Sequence, residues 1–386
     1  MRVFNLLSMR NLFLFFFSFT IFISCNKDEP VIKDSANEEL TLLKIANNTP
    51  NKAIWASRSQ MKSRNGESMG YGVILNPNSD KLLVFLDGGG ACFNQLSCFQ
   101  NLDRYSEEDF SNRITSDSSL LINRNSDQNQ FKDWNMVFVP YATGDVHSGT
   151  NSSANVPNNG PKNQSMVGYT NFSIILEDLK NYFDATGQIT EIVFAGSSAG
   201  GYGVMSNTFQ LINILAMDTP TTVIVDASPI FKDTAIYTPC LNDLWNSDSL
   251  WNINSALPLD LDQVVQNNYE YNFQKLYEYL SLKLPNVNFG LLSYYGDSVI
   301  RSFYSFGQNN CAYPPNTMID TNTYKLGLLG LKTTVLDNLK NWKVFYANGT
   351  EHTFLSDANF DQTIKETKLN DWILELRQGK AENLTE

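Results

Sequence analysis

Glu191-Ile-Val-Phe-Ala-Gly-Ser-Ser-Ala-Gly-Gly201 is the stretch whose reading decides the fold. Glu191–Ala195 is a short apolar run with β-branched residues, the composition of a strand buried on both faces. Gly196-Ser-Ser-Ala-Gly200 follows with the spacing G-x-S-x-G, and a helical pattern then runs from about Gly200 to Ala216. A Gly-Ser run alone reads as an ordinary loop. Between a strand and a helix it means more. The flanking glycines lack Cβ, so the two elements can close around a strained turn that holds Ser198 up at the carboxyl end of a sheet.

Upstream, Tyr71–Leu75 and Lys81–Leu86 read as two strands of a hairpin, joined by the turn-rich Asn76-Pro-Asn-Ser-Asp80. The second runs into Asp87-Gly-Gly-Gly-Ala-Cys92. Three glycines after a buried strand let backbone N–H groups face a ligand, here from Gly89 or Gly90 with Ala199, the residue after the serine. Asn135–Tyr141 is a further strand, and Tyr169–Phe183 has helical spacing. Between them, the Gly-, Ser- and Asn-rich loop 142–162 contains Gly144-Asp145-Val146-His147 and is long enough to border a site.

Downstream, Thr221–Ala227, Asn288–Tyr295 and Trp342–Ala347 read as strands, and Thr323–Asn341 and Phe360–Gln378 as helices. Residues 232–283, with Trp245, Trp251 and several tyrosines, read as a helical insertion capping the sheet. Strands alternating with helices predict an α/β fold, a doubly wound and mostly parallel sheet of the α/β-hydrolase kind with helical cap insertions. With 386 residues and no internal repeat, one large domain from Asn51 to the end is the simplest division.

A serine hydroxyl becomes nucleophilic with a base in hydrogen-bond reach, and the base needs an acid to fix its tautomer. Only one histidine follows Ser198, His352, just past the last strand. Asp226 and Asp297 both follow strands and compete as the acid; Asp297 is nearer the usual position. No cysteine or histidine spacing supports a metal site, and the chemistry needs no cofactor.

Residues 1–24 have the layout of a secretory signal, with Arg2 and Arg10 before an apolar stretch Leu12–Ile23. The small Ser24 before Cys25 fits a bacterial lipoprotein, with Cys25 lipidated as the mature first residue, an anchor at the cell envelope of a Gram-negative organism, and residues 25–50 as a polar tether. Removing 1–24 takes away two arginines and leaves 26 − 40 = −14. Such a chain should repel nucleic acid. Cys92, Cys98, Cys240 and Cys311 remain, an even number that suggests two disulfides in an exported protein.

Leu86-Asp-Gly-Gly-Gly-Ala-Cys-Phe-Asn-Gln-Leu-Ser-Cys98, Gly144-Asp-Val-His-Ser-Gly149 and Gly196-Ser-Ser-Ala-Gly-Gly-Tyr-Gly203 resemble, in order, three signatures of the pectin acetylesterase family, which includes the Notum-type carboxylesterases. Asp226-Ala-Ser-Pro-Ile-Phe231 is similar to a fourth segment. The resemblance covers about residues 53–354. It implies Ser198 as nucleophile, Asp297 as acid and His352 as base, a Cys92–Cys98 disulfide stiffening the oxyanion loop, and Asp226 as a structural residue at the sheet edge. Gly90 stands where Notum-type members carry tryptophan, a departure from the fatty-acyl branch. The expected activity is removal of acetyl groups from a polysaccharide by a monomer, with Asp145 and His147 near the substrate pocket. A glycan-binding protein on a hydrolase scaffold and a fatty-acyl deacylase are the alternatives.

Overall fold

The computed structural model describes residues 40–386, apart from 117–120, 216–217, 247–248, 314, 316 and 356–357. The signal, Cys25 and most of the tether lie outside the described residues. One sheet contains β1 (Ala53–Lys62), β2 (Ser68–Ile74), β3 (Lys81–Leu86), β4 (Asn135–Val139), β5 (Glu191–Ser197), β6 (Thr221–Asp226), β7 (Asn288–Tyr294), β8 (Trp342–Ala347) and β9 (Leu384–Thr385). Their spatial order is β1-β2-β4-β3-β5-β6-β7-β8-β9. From β4 to β9 all neighbours are parallel; β1 and β2 run antiparallel at one side. Leu82–Leu86, Ile192–Ala195 and Val223–Val225 have no exposed surface, as strands covered on both faces require.

The expected hairpin between β2 and β3 does not form. β4 lies between them, and its first residue explains how. The Asn135 side chain accepts from Asn76 N–H (2.9 Å) and donates to the carbonyls of Ser79 (2.7 Å) and Lys81 (3.2 Å). The 76–80 loop is therefore fastened to β4 instead of pairing its flanks. β1 was not anticipated; it fills the edge beside β2.

The folded body also starts before Asn51. Leu42–Asn48 forms a helix, α1, capped by the Thr41 side chain on Lys44 N–H, and it buries Leu42, Ile45 and Ala46. The last helix is shorter than the sequence suggests: a small hairpin, Thr363–Ile364 with Thr367–Lys368, precedes Leu369–Arg377.

The chain leaves β3 for β4 on one side and returns to β5 on the other. The crevice above β3 and β5 is thus the switch point where open α/β sheets place ligands. Ser198 and the three glycines both stand there. Residues 228–283 lie over this end as short helical pieces, and the Trp251 indole N–H donates to the Cys92 carbonyl (3.0 Å), tying that insertion to the glycine loop. Among the described residues no helix is long and apolar enough to cross a membrane.

Candidate active site

Ser198 sits between β5 and the helix Ala199–Leu215, with φ +56°. That left-handed conformation is uncommon for serine and marks a strained elbow. The elbow closes because Gly200 has no side chain: a Cβ there would stand 2.0 Å from the Leu86 carbonyl oxygen. The turn is fixed by Ser198 N–H on the Asp226 carbonyl (2.8 Å) and by the Ser228 hydroxyl on the Ser198 carbonyl (2.5 Å).

Ala199 opens the helix, so its N–H has no intrahelical acceptor. Gly90, which lines a pocket with Ser198 and Ala199, carries the other candidate amide and has φ +81°. Asn101 sets its direction. The Asn101 side chain donates to the Gly89 carbonyl (2.7 Å), and across a trans peptide this turns the Gly90 N–H away from Asn101. Arg64, itself buried, holds Asn101 through its carbonyl (3.0 Å). No sequence signal pointed to Asn101 or Arg64, because both act through backbone groups distant in the chain.

Asp297 follows β7 and caps the helix Ser298–Ser305. Its Oδ1 accepts from the N–H groups of Val299 (3.0 Å) and Ile300 (2.9 Å), and its Oδ2 meets His352 Nδ1 at 2.8 Å. Asp297 is wholly buried, while His352 reaches solvent and lines an open cleft together with Ser198. The structure thus places Ser198, Asp297 and His352 past the ends of β5, β7 and β8, with β6 between the first two, and Ser198 and His352 line one cleft together with Gly89 and Gly90.

Asp226 has a different place. It ends β6, an interior strand, not a sheet edge. Its carboxylate accepts from the Ser197 hydroxyl (2.7 Å), Phe354 N–H (2.9 Å) and Leu355 N–H (2.8 Å), and so pins the loop that carries His352. Burial pushes its carboxyl up to about 6, against the pull of these donors and of His352. The signature segment Asp226–Phe231 was legible, but not this anchoring.

Asp145 and His147 do not line the two spaces beside Ser198 described below. Asp145 accepts from the Thr143 hydroxyl (2.6 Å) and Gly168 N–H (2.7 Å), which holds the long loop to the helix Gly168–Thr186. His147 is buried against Tyr141, and its Nε2 meets the Asp87 carbonyl at 2.9 Å. The carbonyl can only accept, so Nε2 carries the proton. Burial lowers the ring to about 4. Both residues support the glycine loop from behind. Of loop 142–162, only Val146 faces the serine.

Two spaces meet at Ser198. One is a narrow apolar pocket of about 30 Å³, walled by Tyr237, Trp245, Trp251, Ile300 and Phe303. Tyr237, Trp245 and Trp251 bring the insertion into this wall, and Ile300 and Phe303 come from the helix Ser298–Ser305. The other is a cleft of about 580 Å³, lined by Asp87, Asp109, Asn112, Arg113 and Ser116 along with His352. Both expected disulfides, Cys92–Cys98 and Cys240–Cys311, are present. Among the described residues no group of three or more His, Cys, Asp or Glu could hold a metal ion.

A family model described as pectinacetylesterase matches residues 68–280, more than half of the chain. The chain is 32% identical over 193 residues to palmitoleoyl-protein carboxylesterase NOTUM of Schmidtea mediterranea, covering 45% of this chain and 35% of the relative. It is 27% identical over 183 residues to the human protein of that name, covering 46% and 33%. The match thus spans about a third of the length of these relatives. Among solved structures, the Wnt deacylase Notum from Drosophila shares the fold, with a TM-score of 0.63 at 19% identity over 87% of this chain and 96% of that one.

Proposed function

The chain belongs to the pectinacetylesterase family, a family of carboxylic-ester hydrolases, and from that premise we propose that it is a serine esterase removing acetyl groups from a polysaccharide. In this reading Ser198 Oγ attacks the ester carbonyl while His352 Nε2 takes its proton. Asp297 accepts from Nδ1–H and stabilises the imidazolium. The amides of Gly89, Gly90 and Ala199 hold the oxyanion. Collapse of the tetrahedral adduct expels the sugar alkoxide, which receives the proton from His352. Water, activated by the same histidine, then releases acetate and restores the serine.

The observation that carries the reading is the asymmetry around Ser198. The space on one side is narrow and apolar, which suits a short acyl group. The open polar cleft of about 580 Å³ on the other side suits a large hydroxylated alcohol. A small acyl group on a large polar alcohol is an acetylated sugar.

A series of 4-nitrophenyl esters tests this. We expect kcat/KM to be highest for acetate and to fall by octanoate. A value rising steadily with chain length would instead favour a fatty-acyl deacylase, as in the palmitoleoyl-protein carboxylesterase relatives, whose substrate would use the same aromatic wall as a lipid pocket. The companion proposal is an envelope location through a lipid on Cys25. Cys25→Ser should release the protein from membranes; unchanged fractionation, with no lipid on the wild-type amino terminus, would remove that proposal.

A further inference from the structure

The segment after the oxyanion glycines is held stiffly and yet presents apolar side chains to water. The Cys92–Cys98 bond closes it. Asn94 and Ser97 cap the short helix Gln95–Phe99 reciprocally. Arg64 donates to the carbonyls of Cys98 (3.2 Å) and Asn101 (3.0 Å). On this clamped segment Phe99 is 88% exposed and Leu102 58% exposed. Leu96 and Tyr313 are also exposed there, joined by Leu96 N–H on the Tyr313 hydroxyl (3.2 Å). A lone surface leucine is ordinary; three exposed large apolar side chains within residues 96–102, one of them lining the cleft that holds Ser198, are not. The one that lines the cleft is Leu102.

The rest of the cleft's lining decides what fits. Asp109, Asn112 and Ser116 come from the helix Glu107–Ser116 and are polar and exposed. A ligand that meets both Leu102 and these polar groups must offer an apolar face and hydroxyls, as a sugar ring does. Charge narrows the class further. The cleft's carboxylates are Asp87 and Asp109, and its cation Arg113 already pairs with Asp87 (3.3 Å). A further carboxylate on the ligand would meet a net negative field, within a chain of net charge −12.

We propose that Phe99 and Leu102 form a sugar-stacking subsite on the alcohol side of Ser198, taking a neutral sugar residue of the chain next to the one that carries the ester. The subsite rests on the polysaccharide reading above. Because its backbone is fixed before binding, little conformational freedom is lost when the ring docks.

The test compares full-length wild type, Phe99→Ala and Phe99→Trp on 4-nitrophenyl acetate, on acetylated xylo-oligosaccharides and on acetylated oligogalacturonates. Phe99→Ala should lose about ten-fold more kcat/KM on the xylo-oligosaccharides than on the small ester, mostly through KM, and Phe99→Trp should restore it. Oligogalacturonates should be turned over more slowly than the neutral chains and gain as salt is added. Equal losses on both ester classes, or no loss on either, overturn the subsite. So does a Phe99→Ala protein that keeps its oligosaccharide activity but no longer sediments with phosphatidylcholine vesicles that wild type binds, which would assign these side chains to a lipid surface. A wild type active on the small ester and inert on every acetylated saccharide removes the polysaccharide reading and the subsite with it. The wild type's own behaviour therefore separates the two failures.

Discussion

Two serine–aspartate sets stand side by side in this molecule. Ser198 and Asp297 flank His352. Asp226, to which the Ser197 hydroxyl donates, accepts from the amides of Phe354 and Leu355, two and three residues past His352. The serines are neighbours in sequence, the aspartates end or follow adjacent parallel strands, and both carboxylates are wholly buried. Their work differs because the donors differ. Asp297 spends one oxygen on its own helix and keeps the other for an imidazole that can move a proton. Asp226 spends its oxygens on a hydroxyl and backbone amides, none of which exchanges a proton in turnover. In the proposed mechanism one set carries the chemistry, and the other sets the position of the loop on which that chemistry depends.

Exchanging the serines should break the comparison most sharply. Ser198→Ala should lower kcat on 4-nitrophenyl acetate by about 10⁶-fold with little change in thermal midpoint. Ser197→Ala should keep kcat within a few fold but lower stability by about 2 kcal/mol, because a buried carboxylate loses a donor. If Ser197→Ala abolished turnover while Ser198→Ala did not, the two sets would have to be interchanged.

The aspartates give the next effect. Asp297→Asn can still cap its helix through one oxygen, but it holds His352 in the wrong tautomer, and kcat should fall by about 10⁴-fold. Asp226→Asn turns an NH₂ group towards amide donors. It should cost about 3 kcal/mol of stability, seen in urea unfolding, with a smaller loss of kcat as the His352 loop loosens. The opposite ranking in kcat would move the acid to Asp226.

The set proposed as catalytic could be named from the sequence, and the supporting set could not, for a physical reason. Ser198, Asp297 and His352 each follow a strand with its own local pattern, so position along the chain predicts position in space. The bonds from Asp226 to Phe354 and Leu355 span 128 and 129 residues and end on backbone amides, which no residue type announces. The same limit produced the hairpin error. Asn76–Asp80 has good turn chemistry, which is local, whereas the strand that comes between its flanks begins at Asn135. The aromatic residues of 232–283 were visible as a cluster, but whether they faced a sugar or an acyl group depended on which side of Ser198 they packed.

The smallest expected effect is a slope, and it sets Asp226 against His147. Burial raises Asp226 from an ordinary 3.8 to about 6, so the folded state takes its proton first. Its contribution to stability is present at low pH and is lost as pH rises towards and through 6. His147 has the opposite sign. Burial lowers it from 6.5 to about 4, so the unfolded chain takes its proton first. Its contribution is present above 6.5 and is lost as pH falls towards 4. Between about pH 4 and 6 the two slopes oppose each other, each limited to about 1.4 kcal/mol per pH unit. Asp145, also raised by burial, adds to the sign of Asp226. Unfolding free energies measured by urea across that range should therefore fall gently with rising pH in wild type beyond what surface carboxylates contribute, and those cancel between variants. His147→Gln should make stability fall with rising pH relative to wild type, and Asp226→Asn should make it rise. Parallel curves for wild type and both variants would mean that neither group titrates differently in the folded and unfolded chain.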